Sequence, residues 1–165
     1  MPDGILIIDK PSDWTSMDVC AKLRGIFHEK RIGHGGTLDP MATGVLPVFI
    51  GRATRAVEFA EKSDKEYVAS LRLGQVTDTQ DSTGTVLEEH PVPAAPAAAV
   101  AALLPHFTGT IDQIPPMYSA IKIHGQKLYQ LARKGREVER PARQITIREL
   151  ELLEPAPTGD LRLRI

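Results

Sequence analysis

Cysteine is nearly absent from this chain: Cys20 stands alone among 165 residues. One thiol excludes an internal disulfide framework and a thiolate metal cluster, and it fits a reducing compartment. No apolar run approaches the roughly 20 residues that a membrane helix needs. The opening Met1-Pro2-Asp3 lacks the basic start of a signal peptide. These absences predict a soluble, cytoplasmic protein without a membrane partner. Neither sign of charge prevails, since the net charge is −1, and that value does not by itself point to nucleic acid. No internal repeat and no set of residues at metal-ligand spacing is visible. What 165 residues at 42% hydrophobic content do allow is about one domain with a real core.

Charge is segregated along the chain even though it balances overall. Residues 121–148 carry Lys122, Lys127, Arg133, Lys134, Arg136, Arg140, Arg143 and Arg148 against only Glu137 and Glu139. Residues 58–90 hold eight acids against Lys62, Lys65 and Arg72. Such segregation can give a neutral protein one basic face that tracks a phosphate backbone. A solvated helix with ordinary charges is the competing reading.

Helical and strand periods alternate. Gly4–Asp9 reads as a buried strand closed by Lys10-Pro11. Ser16 can cap a helix whose Val19, Leu23, Ile26 and Phe27 recur at helical spacing, with Asp18 favourable in its first turn. Cys20 falls on the apolar face of that helix, as a small buried hydrophobe. Val45–Ile50 is a short apolar strand, and Thr54–Glu61 is helical. Tyr67, Ala69, Leu71 and Leu73 alternate with Val68, Ser70 and Arg72, which marks a half-buried strand with Tyr67 on the apolar side. A polar turn over 77–84 leads to a return strand at Thr85-Val86-Leu87. An alanine-rich helix spans 97–104, and a second helix spans 128–134 and stops at Gly135. Ile145–Ile147 and Leu150–Leu152 are strand-like with a one-residue slip between them, which a β-bulge would explain. The mixture predicts an α+β domain around a mixed, mostly antiparallel sheet flanked by helices.

The run from Gly33 to Pro47, GHGGTLDPMATGVLP, places four glycines and two prolines around one carboxylate, Asp39, with His34 at its mouth. Glycine at that density tolerates positive φ and close approach of a ligand to the backbone. Pro40 biases Asp39 toward an extended conformation. The pattern reads as a placed reactive group on a rigid loop. Taken singly, Asp39 before a proline also suits a turn, Tyr67 also suits a core position, and His34 also suits an ordinary loop histidine.

This loop closely resembles the active-site loop of the TruB-type tRNA pseudouridine synthases. Three further blocks share the resemblance in order. They are Asp9-Lys10-Pro11 with Thr15-Ser16, then Lys65-Glu66-Tyr67 with Leu73-Gly74 and Thr77-Asp78-Thr79 to Asp81, and finally Gln113–Lys122 with Gly125, Tyr129, Ala132-Arg133 and Gly135. Only residues 85–110 stand outside it. The resemblance implies isomerisation of uridine to pseudouridine in the T loop of tRNA, at position 55 in standard tRNA numbering. That reaction needs no cofactor and no metal. Asp39 matches the family's catalytic aspartate, acting as nucleophile or as acid/base on the sugar face. Tyr67 matches the tyrosine that stacks on the target base, and His34 a histidine that packs against RNA near the target. Lys10-Pro11 is expected to support the loop carrying Asp39. Trp14 and Tyr118 suit packing, or stacking on RNA.

Leu161, Leu163 and Ile165 alternate with Arg162 and Arg164, so the chain stops in mid-strand. This predicts a truncated piece of a longer protein, residues 1–165 being an incomplete catalytic domain. The resemblance places an arginine partner for Asp39 and a C-terminal RNA-binding module beyond Ile165, so residues 1–165 alone are expected to be inactive or severely impaired. The expected partner is the tRNA T stem-loop, and the expected state is a monomer. A guide-RNA-dependent synthase subunit is the alternative within the family; the absence of an N-terminal extension before Gly4 weighs against it. A catalytically dead RNA-folding protein is the alternative outside enzymes.

Overall fold

The computed structural model describes residues 2–119, 121–123 and 125–165, so Met1 and Ala120 of the segments above lie outside it. It divides into two compact units, Met1–Lys65 and Glu66–Ile165.

In the first unit, β1 (Gly4–Lys10) is followed by α1 (Ser16–Phe27), β2 (Ile32–His34), β3 (Gly44–Ile50) and, after a 3-10 turn over 51–56, α2 (Val57–Glu61). The strands form an antiparallel sheet in the order β1-β3-β2. β3 is central although it contains Pro47, which has no N–H to donate. The Pro47 carbonyl accepts from the Gly35 N–H at 2.8 Å. The amide nitrogen of a strand residue faces the same side as its carbonyl, so the missing donor falls beyond the end of β2 and disrupts no ladder. Val19, Cys20 and Leu23 of α1 pack on Ile32, Leu46, Val48 and Ile50 of the sheet. Burying each such aliphatic side chain stabilises the unit by about 1.5–3 kcal/mol. Leu38, from the loop between β2 and β3, packs against the same core. The opposite face of the sheet exposes Ile5, Ile7 and Val45.

The N-cap lies one residue before the expected one, Ser16. Thr15 is the N-cap: its hydroxyl accepts from the Asp18 N–H, and the Asp18 carboxylate accepts from the Thr15 N–H, a closed capping box. Hydrogen bonds from the Thr15 hydroxyl, then from its backbone, hold the Asp18 carboxyl below its ordinary range. Ser16 is thereby released from capping and is buried.

The second unit contains β4 (Val68–Leu71), β5 (Gln75–Thr77), β6 (Val86–Glu89), α3 (Pro96–Leu103), β7 (Gly109–Gln113), β8 (Lys122–Ile123), β9 (Gln126–Lys127), α4 (Leu128–Ala132), β10 (Arg143–Ile147), β11 (Glu151–Leu153) and β12 (Leu161–Arg164). They form the sheet β11-β12-β4 and the pairs β10-β7, β5-β6 and β8-β9. Every strand pair among the described residues is antiparallel. The α+β class therefore holds, with several small antiparallel sheets instead of one extended sheet. The slip after Ile147 is not a bulge. β10 pairs with β7 while β11 pairs with β12, so residues 148–150 carry the chain from one sheet to another and the side-chain alternation restarts. No helix among the described residues is long and apolar enough to cross a membrane.

Candidate active site

Asp39 sits on irregular backbone between β2 and β3, where no strand ladder can place it. Its neighbours are instead fastened to the segment 10–16. Lys10, at the end of β1, is completely buried. Its Nζ donates to the carbonyls of Pro11 at 2.9 Å, Trp14 at 2.7 Å and Pro40 at 3.2 Å. An ammonium has three donors, and these carbonyls engage all of them. The Asp13 N–H adds a second bond to the Pro40 carbonyl at 2.8 Å. On the other side of Asp39, the Leu38 N–H donates to Ser16 Oγ at 2.9 Å, and Ser16 Oγ faces the Leu38 carbonyl at 3.2 Å. The Asp39 carbonyl accepts from the Ala42 N–H at 3.0 Å, closing a turn over Pro40-Met41. Both residues flanking Asp39 are thus held by hydrogen bonds, while Asp39 itself is exposed. Among the described residues no hydrogen bond or ion pair reaches its carboxylate.

Two glycines show why the loop needs them. A Cβ on Gly35 would lie 2.7 Å from the Ala60 Cβ and 2.7 Å from Phe49 Cε2, so the loop can pass between α2 and the sheet only without a side chain. Gly44 has φ +108°, a conformation open to glycine alone, where the chain turns into β3. His34 ends β2, half-buried, and its Nδ1 donates to the Gly36 carbonyl. A carbonyl only accepts, so Nδ1 carries the proton and the ring supports the same loop.

Tyr67 belongs to the second unit. It precedes β4 on the face of half-buried Ala69 and Leu71, and its own side is 47% exposed, so the ring is not a core residue. Its N–H donates to the Ile165 carbonyl at 2.9 Å and its carbonyl accepts from the Ile165 N–H at 3.0 Å. The basic segment folds as the β8–β9 hairpin, the single-turn α4 and the coil into β10, not as one solvated helix. Lys122, Arg133, Lys134, Arg136 and Arg143 are exposed. Lys127 and Arg133 both lie over the Tyr129 ring, at 5.6 and 5.3 Å from its centroid. Trp14 and Tyr118 are also partly open, at 39% and 38% exposure.

Sequence reasoning anticipated Lys10 as a support and missed Ser16. The signal was present: Thr15-x-x-Asp18 is a capping-box pattern that assigns the cap to Thr15 and leaves Ser16 free for another task. Asp13 carries no comparable signal, because it acts through its backbone N–H.

Comparison with known proteins identifies the family of the chain. Residues 24–165 match the TruB family pseudouridylate synthase (N terminal domain). The chain is 51% identical over 166 residues to tRNA pseudouridine synthase B of Heliobacterium mobile, covering 99% of this chain and 53% of that protein. It is 50% identical over 163 residues to the protein of the same name from Opitutus terrae, covering 98% and 68% respectively. Among solved structures, a Cbf5-Nop10-Gar1 complex contains a chain that superposes with a TM-score of 0.69 at 31% identity, over 98% of this chain and 38% of that one. The chain spans about half the length of most of the curated relatives it matches. On sequence and fold together, this chain belongs to the TruB family of pseudouridylate synthases.

Proposed function

We propose that the full-length protein isomerises uridine to pseudouridine at position 55 in the T loop of tRNA. The observation that carries this reading is the doubly tethered Asp39 loop, in a chain about half identical to proteins named tRNA pseudouridine synthase B. The reaction breaks the C1′–N1 bond, forms C1′–C5, releases the C5 hydrogen as a proton and returns one to N1. It neither oxidises nor hydrolyses. A carboxylate held at a fixed place suits the sugar side of this exchange, where positive charge develops at C1′. Asp39 is assigned that role, as nucleophile or as acid/base.

An exposed tyrosine on a strand edge offers a flat partner to a base pulled from its stack, and Tyr67 is assigned to it. His34, at the mouth of the loop, is assigned to RNA beside the target. The exposed cations of residues 122–143 are assigned to T-stem phosphates. The tRNA reading is favoured over the guide-RNA reading because identity to the tRNA synthases is near 50%, against 31% and 28% to the Cbf5 and H/ACA RNP chains.

The test is tritium release from an elongator tRNA transcript labelled at uridine C5, with the full-length chain and no other protein or RNA. The expected result is product at the T-loop uridine alone, and none from a transcript with cytidine there. Product elsewhere, or dependence on an added guide RNA, would overturn the proposal.

A further inference from the structure

We infer that the Arg72–Asp160 ion pair is a positioning device for Tyr67: it sets the register of β4 against β12 and so decides which face of the sheet presents the Tyr67 ring. The inference deepens the reading of Tyr67 as the base-facing residue, and rests on it.

The register runs from Leu161 opposite Leu71 to Arg164 opposite Val68. Tyr67 and Ile165 extend it by one pair at one end through their mutual backbone bonds. At the other end, the next residues in the same register are Arg72 and Asp160. There Arg72 Nε and Nη2 donate to the two Asp160 carboxylate oxygens, each at 2.9 Å, and Thr158 Oγ1 donates to Oδ2 at 3.0 Å. A two-pronged guanidinium–carboxylate pair fixes angle as well as distance. The hydrogen bonds from Arg72, then the one from Thr158, hold the Asp160 carboxyl below its ordinary range, so the pair is charged at neutral pH.

Little else specifies this register. β4 is an edge strand, with Val68 and Ser70 exposed and Ala69 and Leu71 only half-buried. A strand with such weak sidedness is prone to slip. The Arg164–Glu151 pair ties β12 to β11 and does not constrain β4. A slip of one residue would put Arg72 opposite Gly159 or Leu161, neither of which bears a carboxylate. It would also carry Tyr67, together with Ala69 and Leu71, to the opposite face of the sheet.

The test is amide hydrogen exchange on the full-length chain, followed by NMR. In Arg72→Ala, the Tyr67 and Ile165 amides are expected to exchange about tenfold faster, with Ile145 in β10 unchanged. The exchanged pair Arg72→Asp/Asp160→Arg is expected to restore protection to within about twofold of the parent, and kcat with it, at little change in KM. Unchanged exchange at Tyr67 in Arg72→Ala overturns the inference, as does a swapped pair no better than the single variant. Loss of protection that includes Ile145 in both variants also overturns it, because the pair would then hold the unit together without selecting a register. Tyr67→Ala tests the other reading separately. If pseudouridine still forms at the parent rate, the base-facing role fails while the exchange result stands.

Discussion

The backbone on either side of Asp39 is fastened by side chains far away in sequence, Lys10 and Ser16, whereas the backbone of Tyr67 is fastened by the main chain of a neighbouring strand. A loop has no ladder, so its placement depends on a few donors brought to it by the core. Each donor removed loosens it by a degree. A strand residue is placed discretely: its register is right or it is wrong, and a one-residue error reverses the side chain completely. The carboxylate loop should therefore lose function in graded steps as its tethers are cut, and the tyrosine strand should behave as a switch.

Cutting the strongest tether tests the graded side of this contrast. Lys10→Met keeps the length and apolar stem but removes the ammonium from the Pro11 and Trp14 carbonyls and leaves the Pro40 carbonyl with the Asp13 N–H. It is expected to cost about 3 kcal/mol of stability, read by thermal or denaturant unfolding. Loosening the Pro40 side of the loop is expected to lower kcat by about a hundredfold. Parent-like kcat in Lys10→Met would show that the Pro40 bond does not place Asp39.

Ser16→Ala is the smaller cut. It removes the Leu38 acceptor and donor together, with an expected loss of about 1 kcal/mol and of about tenfold in kcat. Helix content by circular dichroism should stay unchanged, because Thr15 and not Ser16 caps α1. A loss of helix would instead return the capping role to Ser16 and remove the loop tether from the account.

Much of this was readable before the structure. β1, β3, the turn after β5 and the start of α4 followed from apolar period and punctuation, because local preference and burial agree there, whereas α4 ends at Ala132, two residues before the expected Lys134. Asp39 was marked by the glycine density around it, and Lys10 by its place beside that loop in the shared motifs. The misplaced cap arose because Ser16 and Thr15 are both good N-caps, and only Asp18 three residues after Thr15 separates them. The supposed bulge after Ile147 failed for a different reason. Alternation records which face a residue occupies but not which strand it pairs with, so a change of sheet looks like a slip. The division at Lys65–Glu66 has no compositional mark, since neither proline nor glycine interrupts the chain there. The Arg72–Asp160 pair joins residues 88 positions apart, beyond the reach of any local pattern.

The central claim is that the tethered loop exists to place one carboxylate for chemistry on uridine. Asp39→Asn in the full-length chain tests it most directly, because it preserves shape and removes the charge. Pseudouridine formation in a tRNA transcript is expected to fall by at least about 10³-fold, while the Kd for that tRNA stays within about threefold. Turnover of Asp39→Asn within about tenfold of the parent would contradict the account.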